Sequence, residues 1–132
     1  MRLLVDANII LEIILQRKNF EQARRLLATT EGHDFFISNY SLHSIGTFLF
    51  KLNKKQEFLE LLDDFVRNNV EVLAIQETEL KNLKTLSEKF HLDFDDAYQY
   101  SLAEKYDLVI VSFDKDFDKT LRGRKTPEEI LK

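Results

Sequence analysis

Aspartates recur in this chain where apolar runs end, and they carry most of its candidate chemistry. Asp6 closes the run Leu3-Leu4-Val5, Asp114 and Asp116 follow Leu108-Val109-Ile110-Val111-Ser112, and Asp96 stands in the acidic stretch Asp93-Phe94-Asp95-Asp96. If those runs are parallel strands, Asp6, Asp114 and Asp116 lie beyond their carboxyl ends, the edge at which open α/β sheets bind ligands. Carboxylates gathered there repel one another, so either one or more stays protonated or a cation lies between them. An oxygen-only donor set favours a hard ion, Mg²⁺ or Mn²⁺. The competing reading of Asp6 is an N-cap for the helix that follows it.

The elements that must position these acids are legible in outline. Residues 2 to 5 form a strand, and residues 7 to 16 a helix that is apolar nearly all round, as a buried helix is. Phe20, Ala23, Leu26 and Leu27 repeat at helical spacing up to Gly32, and residues 34 to 38 make a second strand. Ser38, Asn39 or Ser41 can cap a helix carrying Leu42, Ile45, Phe48 and Leu49, followed by another marked by Phe58, Leu61, Leu62, Phe65 and Val66. Residues 70 to 75 and 108 to 112 are the third and fourth strands. Between them, Leu80, Leu83, Leu86 and Phe90 describe one helix, and Ala97, Tyr100, Ser101 and Ala103 another ending before Asp107. A short helix near Phe117 to Leu121 and one opened by Pro127 follow. Strands alternating with helices imply an α/β fold of three layers around a central, mostly parallel sheet of four to five strands. No repeat or linker divides residues 1 to 132, so a single domain is expected.

Composition removes several classes of chemistry. The 132 residues include no cysteine, which excludes thiolate nucleophiles, disulfides and zinc–thiolate sites. The balance of 19 basic against 23 acidic residues, net −4, neither announces nor excludes nucleic acid. Lys115, Lys119, Arg122, Arg124 and Lys125 form a basic segment that can meet phosphates but reads better as a solvated loop and helix face. The apolar stretch from Ile9 to Leu15 is interrupted by Glu12 and too short to span a bilayer. The first residues lack the succession of a signal peptide. A soluble, cytoplasmic protein with no membrane partner is the expectation.

Leu3-Leu4-Val5-Asp6-Ala7-Asn8, then Asp96-Ala97, then Ser112-Phe113-Asp114-Lys115-Asp116-Phe117 resemble, in this order, the motifs of the PIN-domain nucleases. Among these, the chain is similar to the VapC-type toxins of bacterial toxin–antitoxin pairs. The resemblance runs the length of the chain and implies a PIN-like fold. It also implies an endoribonuclease that uses Mg²⁺ or Mn²⁺ to cut single-stranded RNA, with Asp6, Asp96 and Asp114 as catalytic metal ligands and Asp116 in support. An antitoxin from a separate open reading frame and a homodimer are the partners it suggests. Metal-assisted hydrolysis needs no cysteine or histidine nucleophile, so the physical reading agrees. Asn8 and Ser112 are then the amide and hydroxyl that hold carboxylate oxygens in place.

One departure stands out. The family usually carries a glutamate on the helix after the second strand, where this chain has Ser44, beside His43. A hydroxyl is a poor, neutral replacement for a carboxylate, and His43 is the other residue at hand to replace it. A histidine on a largely apolar helix is more often simply packed. His33 and His91 have no motif around them. Asp93 and Asp95 read as residues that cap or flank their helix, and Glu12 as making a helix-stabilising hydrogen bond or meeting a nearby basic partner. Phe35, Phe36, Phe48, Phe50, Phe58 and Phe65 read as core or interface. The substitution at Ser44 keeps a second function open, a catalytically degenerate PIN module that binds RNA or protein. Two other classes fit less well. A response-regulator phosphoacceptor needs an acid pair where Ala7-Asn8 stands, and a haloacid-dehalogenase-type phosphatase needs an acid where Asn8 stands.

Overall fold

The computed structural model describes residues 1–132. Four strands, β1 (Arg2–Val5), β2 (Asp34–Ser38), β3 (Glu71–Leu73) and β4 (Val109–Val111), pair in parallel in the order β3-β2-β1-β4. Helices α1 (Ala7–Ile14) and α2 (Phe20–Ala28) connect β1 to β2, and α3 (Asn39–Lys51) and α4 (Lys55–Arg67) connect β2 to β3. Helices α5 (Asn82–Phe90) and α6 (Phe94–Tyr106) lead into β4, and α7 (Pro127–Leu131) follows. A lone bridge between Val111 and Lys125 is all that represents a fifth strand.

Alternation along the strands builds the three layers. Successive strand residues point to opposite faces. Leu3, Val5, Phe35, Ile37 and Val111 therefore enter one core with Ile9, Ala23, Leu26, Ile45 and Leu49 of α1, α2 and α3. Leu4, Phe36 and Ile110 enter the other with Leu83, Leu86 and Phe90 of α5 and with Tyr100, Leu102 and Ala103 of α6. Helices cover both faces, as a parallel sheet requires.

Element boundaries follow local chemistry. Helix α1 stops at Ile14 because Gln16 takes a positive φ of 49°, so the helix is shorter than its apolar run suggests. Only Ile9, Ile10 and Glu12 of α1 are buried. The Ser38 hydroxyl accepts the Ser41 N–H at 2.9 Å and starts α3. Gly46 lets α4 approach α3, since a Cβ there would lie 3.0 Å from the Phe58 ring. The third strand contracts to Glu71–Leu73, and Val72 on this edge strand is 46% exposed. Leu80 lies outside α5, after a 3₁₀ turn at Glu77–Glu79. The segment after β4 is likewise a 3₁₀ turn, Lys115–Lys119, which leaves Leu121 exposed. Pro127 occupies the first turn of α7 behind a Thr126–Glu129 capping box. No helix is long and apolar enough to cross a membrane.

Candidate active site

Strand order reverses between β1 and β4. The chain steps outward from β1 to β2 and β3, then returns to the other side of β1, and ligands of open sheets bind at the carboxyl end of such a switch point. Asp6 directly follows β1, and its N–H pairs with the Val111 carbonyl of β4 at 3.0 Å. Asp114 follows β4. Helix α6 begins at the same edge, because it must run back across the sheet to feed β4, and so brings Asp96 in its first turn to the two strand ends.

One carboxylate oxygen from each of Asp96, Asp114 and Asp116 lies within 4.8 Å of the others. Asp96 is buried, Asp114 half-buried and Asp116 exposed, so the group opens from the protein interior to solvent. Asp6, expected among the ligands, lies outside this group, and Asp116, expected only in support, lies within it. Asp6 is still near enough for Asp114 to raise its proton affinity. Its Oδ1 accepts Gln99 Nε2 at 2.9 Å and its Oδ2 accepts the Ser112 hydroxyl at 2.6 Å. Asp6 makes no side-chain cap to α1, so the N-cap reading of its carboxylate fails.

Ser112 organises the contact between the strand ends. Its hydroxyl donates to Asp6 and accepts from Asn8 Nδ2 at 3.2 Å and from the Asp114 N–H at 2.9 Å, which fills its hydrogen-bonding capacity. Asn8 Oδ1 accepts the Phe113 N–H at 3.4 Å. Asp114 Oδ1 accepts the Asp116 N–H at 2.9 Å, which folds the short turn that brings Asp116 back toward Asp114.

Electrostatically the group is short of positive charge. Burial, then the carboxylates of Asp95, Asp114 and Asp6, push the Asp96 carboxyl from 3.8 up to about 8, and a hydrogen bond with Asp114 adds to the rise. Burial also raises Asp6, opposed by the hydrogen bonds from Ser112 and Gln99. A cluster of oxygen donors in which one member holds its proton near neutral pH suits a hard divalent cation, which would displace that proton and satisfy the remaining lone pairs. The residues present therefore fit Mg²⁺ or Mn²⁺.

Two residues of this network escaped the sequence reading. Gln99 is buried and bonds Asp6, while its Oε1 has no hydrogen-bond donor. It lies three residues after Asp96 on the same helix, a spacing that could have pointed to it. Arg124 donates to the Ser112 carbonyl at 3.1 Å and pairs with both oxygens of Asp118 at 3.1 and 3.2 Å. It thus clamps the end of β4, and no sequence spacing announces that role. Arg122 is similarly engaged with Asp107 and the Leu108 carbonyl, and Lys119 with the His91 carbonyl. Most of the basic segment is therefore structural.

Other sequence candidates lie elsewhere. Ser44 and His43 are exposed on α3 and line a groove with Tyr40, Phe94 and Tyr98 that contains no carboxylate. Neither belongs to the acidic group. Glu12 accepts the Asn19 N–H at 2.8 Å and anchors the start of α2. Asp93 caps α6 through its backbone only. Phe35 and Phe36 are core, whereas Phe48 and Phe50 are exposed.

A parallel sheet with an acidic, oxygen-only group at its switch point defines a class of α/β proteins suited to divalent cations. The chain belongs to the PIN domain family, whose model matches residues 3–122. No curated protein sequence matches it significantly. Among solved structures it is similar to a toxin–antitoxin complex from Klebsiella pneumoniae, at 21% identity over 94% of this chain and 96% of that one, TM-score 0.72. It is also similar to VapC20 of Mycobacterium tuberculosis, described as a sarcin-ricin loop cleaving toxin, at 17% identity over 88% and 92%, TM-score 0.74. A third likeness is FitAcB of Neisseria gonorrhoeae, at 18% identity over 96% and 98%, TM-score 0.72.

Proposed function

We propose that the chain is a Mg²⁺- or Mn²⁺-dependent endoribonuclease that cleaves single-stranded RNA through the single domain formed by residues 1–132. The observation that carries this reading is the group of Asp96, Asp114 and Asp116 at the β1–β4 switch point, with Asp6 fixed behind it. In this reading Asp96, Asp114 and Asp116 hold the ion, and Asp6 adds charge. A divalent ion bound there supplies positive charge against the scissile phosphate and acidifies water. Ser112, Asn8 and Gln99 keep the strand ends and Asp6 in place, so that the carboxylates need not reorganise when substrate arrives.

The similarity to toxin–antitoxin proteins supports a toxin role in a type II pair, with the antitoxin encoded in a separate open reading frame and the pair acting in the cytoplasm. The surface we assign to that partner is an apolar groove of about 440 Å³ lined by Ile10, Ile13, Leu27, Leu61 and Phe65, with Arg24, Glu57, Glu60 and Asp64 as its charged residues. A homodimer completes the reading. The test is cleavage of unstructured RNA by the full chain with Mn²⁺, abolished by chelator and by Asp114→Asn.

A second reading is favoured by one observation, the exposed Ser44 in an acid-free groove. With no acid contributed by α3, the chain is instead a degenerate PIN module that binds RNA or protein. Metal binding without cleavage would select it.

A further inference from the structure

We propose that the groove between α3 and the start of α6 is a subsite for an unpaired nucleobase of single-stranded RNA, an inference that rests on the nuclease reading above. Its floor is a cluster of three aromatic rings. The Tyr40 centroid lies 5.6 Å from Phe94 and 5.7 Å from Tyr98, and Phe94 lies 6.1 Å from Tyr98. Tyr98 anchors the cluster, because its buried hydroxyl donates to Asn39 Oδ1 at 2.7 Å and accepts the Ile75 N–H at 3.0 Å. Tyr40 and Phe94 lean on this fixed ring yet remain 39% and 55% exposed. Exposed aromatic residues packed on an anchored ring are what base stacking uses, and the groove, about 720 Å³, has room for a base.

Charge favours RNA at this groove. In a chain of net charge −4, its lining includes Lys51 and His43 and no aspartate or glutamate. The apolar groove assigned to the protein partner carries Glu57, Glu60 and Asp64 against a single Arg24, a balance that disfavours a phosphate backbone. Position favours it as well. Asn39 directly follows β2 and Ile75 lies just past β3, so the groove stands over the carboxyl ends of that strand pair, as the acidic group stands over β1 and β4. With neighbouring strands about 4.8 Å apart, the two centres are separated by roughly 10 Å. Helix α6 contributes to both, Phe94 and Tyr98 to the groove and Asp96 to the acids. A strand cut at the acids can therefore lay a nearby base on the rings. Stacking reads the face of a base and not its edge, so this subsite holds the strand in place while tolerating base identity.

The test is fluorescence anisotropy of the full chain with a labelled oligouridylate about eight nucleotides long, in chelator so that no cleavage occurs. Phe94→Ala and Tyr40→Ala should each weaken binding about 5- to 100-fold, and Phe94→Trp should restore it. Phe94 is more than half exposed, so unaltered melting of its variants checks the fold. Asp114→Asn should retain oligonucleotide affinity while losing Mn²⁺-dependent cleavage, which separates the subsite from the catalytic reading. Aromatic-dependent binding with no cleavage by the wild-type chain sinks the nuclease reading and leaves the subsite standing. Wild-type affinity in Phe94→Ala overturns the subsite. So does a wild-type chain that binds no oligouridylate, or a Phe94→Ala change that dissociates a dimer without altering RNA affinity, which would give this face to a second copy of the chain.

Discussion

Replacing Asp96 by asparagine should make the metal-free protein more stable at pH 8, although it removes a candidate metal ligand. Ionising Asp96 in the fold is opposed by its burial and by three neighbouring carboxylates, which raise its carboxyl from 3.8 to about 8. Each tenfold change in proton affinity is worth about 1.4 kcal/mol, so the ionised fold is penalised by on the order of 5 kcal/mol before screening. Solvent around the half-buried Asp114 and exposed Asp116 reduces this, and a gain of about 2–4 kcal/mol is expected. The sign follows from linkage. Between 3.8 and about 8 the folded state binds more protons than the unfolded chain, so wild-type stability falls as pH rises through that window. The asparagine of the variant cannot ionise, and its amide can donate to Asp114 as the protonated acid does. Urea denaturation from pH 4 to 9 in chelator should therefore show the two proteins close at pH 4 and diverging toward pH 8, with the variant above. Millimolar Mn²⁺ should close the gap by stabilising the wild type alone. A pH-independent difference, or a variant less stable than wild type at pH 8 without metal, would refute the electrostatic account.

Three further outcomes follow from the same geometry. Mn²⁺ at a hundredfold its Kd should stabilise the wild-type chain by about 2.7 kcal/mol, a rise in Tm on the order of 8 °C by scanning calorimetry, and Asp114→Asn should remove most of it. Ser112→Ala deletes one donated and two accepted hydrogen bonds, one of them to a carboxylate, and should cost about 2–4 kcal/mol in urea denaturation. A cost under about 0.5 kcal/mol would show that the strand ends are held by other contacts. Ser44→Glu adds a carboxylate to the acid-free groove, so metal-free stability should stay within about 0.5 kcal/mol of wild type while oligouridylate affinity falls. Tighter Mn²⁺ binding, measured by calorimetric titration, would instead mean that the longer side chain reaches the acids.

What the sequence made legible and what it hid divide along a physical line. The strands were readable because short apolar runs between helically patterned segments leave few alternatives in a chain with three glycines and one proline. Their lengths were not, because β3 lies at the sheet edge and β4 at the switch point, where tertiary pairing and not composition decides how many residues enter the ladder. The helix expected around Leu80 begins two residues later because Gln76 and Glu79 form a reciprocal capping box on a 3₁₀ turn, a local competition that apolar spacing does not register. At the site, the pattern suggested Asp6, Asp96 and Asp114 together with Asp116 in support, whereas the carboxylates that lie within 4.8 Å of one another are those of Asp96, Asp114 and Asp116. Gln99 and Arg124, however, act across the fold on residues 93 and 12 positions away in sequence, and no local pattern marks such contacts.

The arrangement also explains why Asp6 stands apart from the other three acids. An aspartate one residue beyond a central strand is committed by its backbone: the Asp6 N–H already pairs with β4, which fixes Cα and leaves the side chain little reach. Asp114 and Asp116 sit on a turn with no strand partner, and Asp96 on the free first turn of α6, so these three can converge on a common point. Asp6 instead takes hydrogen bonds from both sides, which orient its carboxylate and counter part of the burial that opposes its charge. Asp6 is thus held in place beside the group, of which Asp116 is the most exposed member.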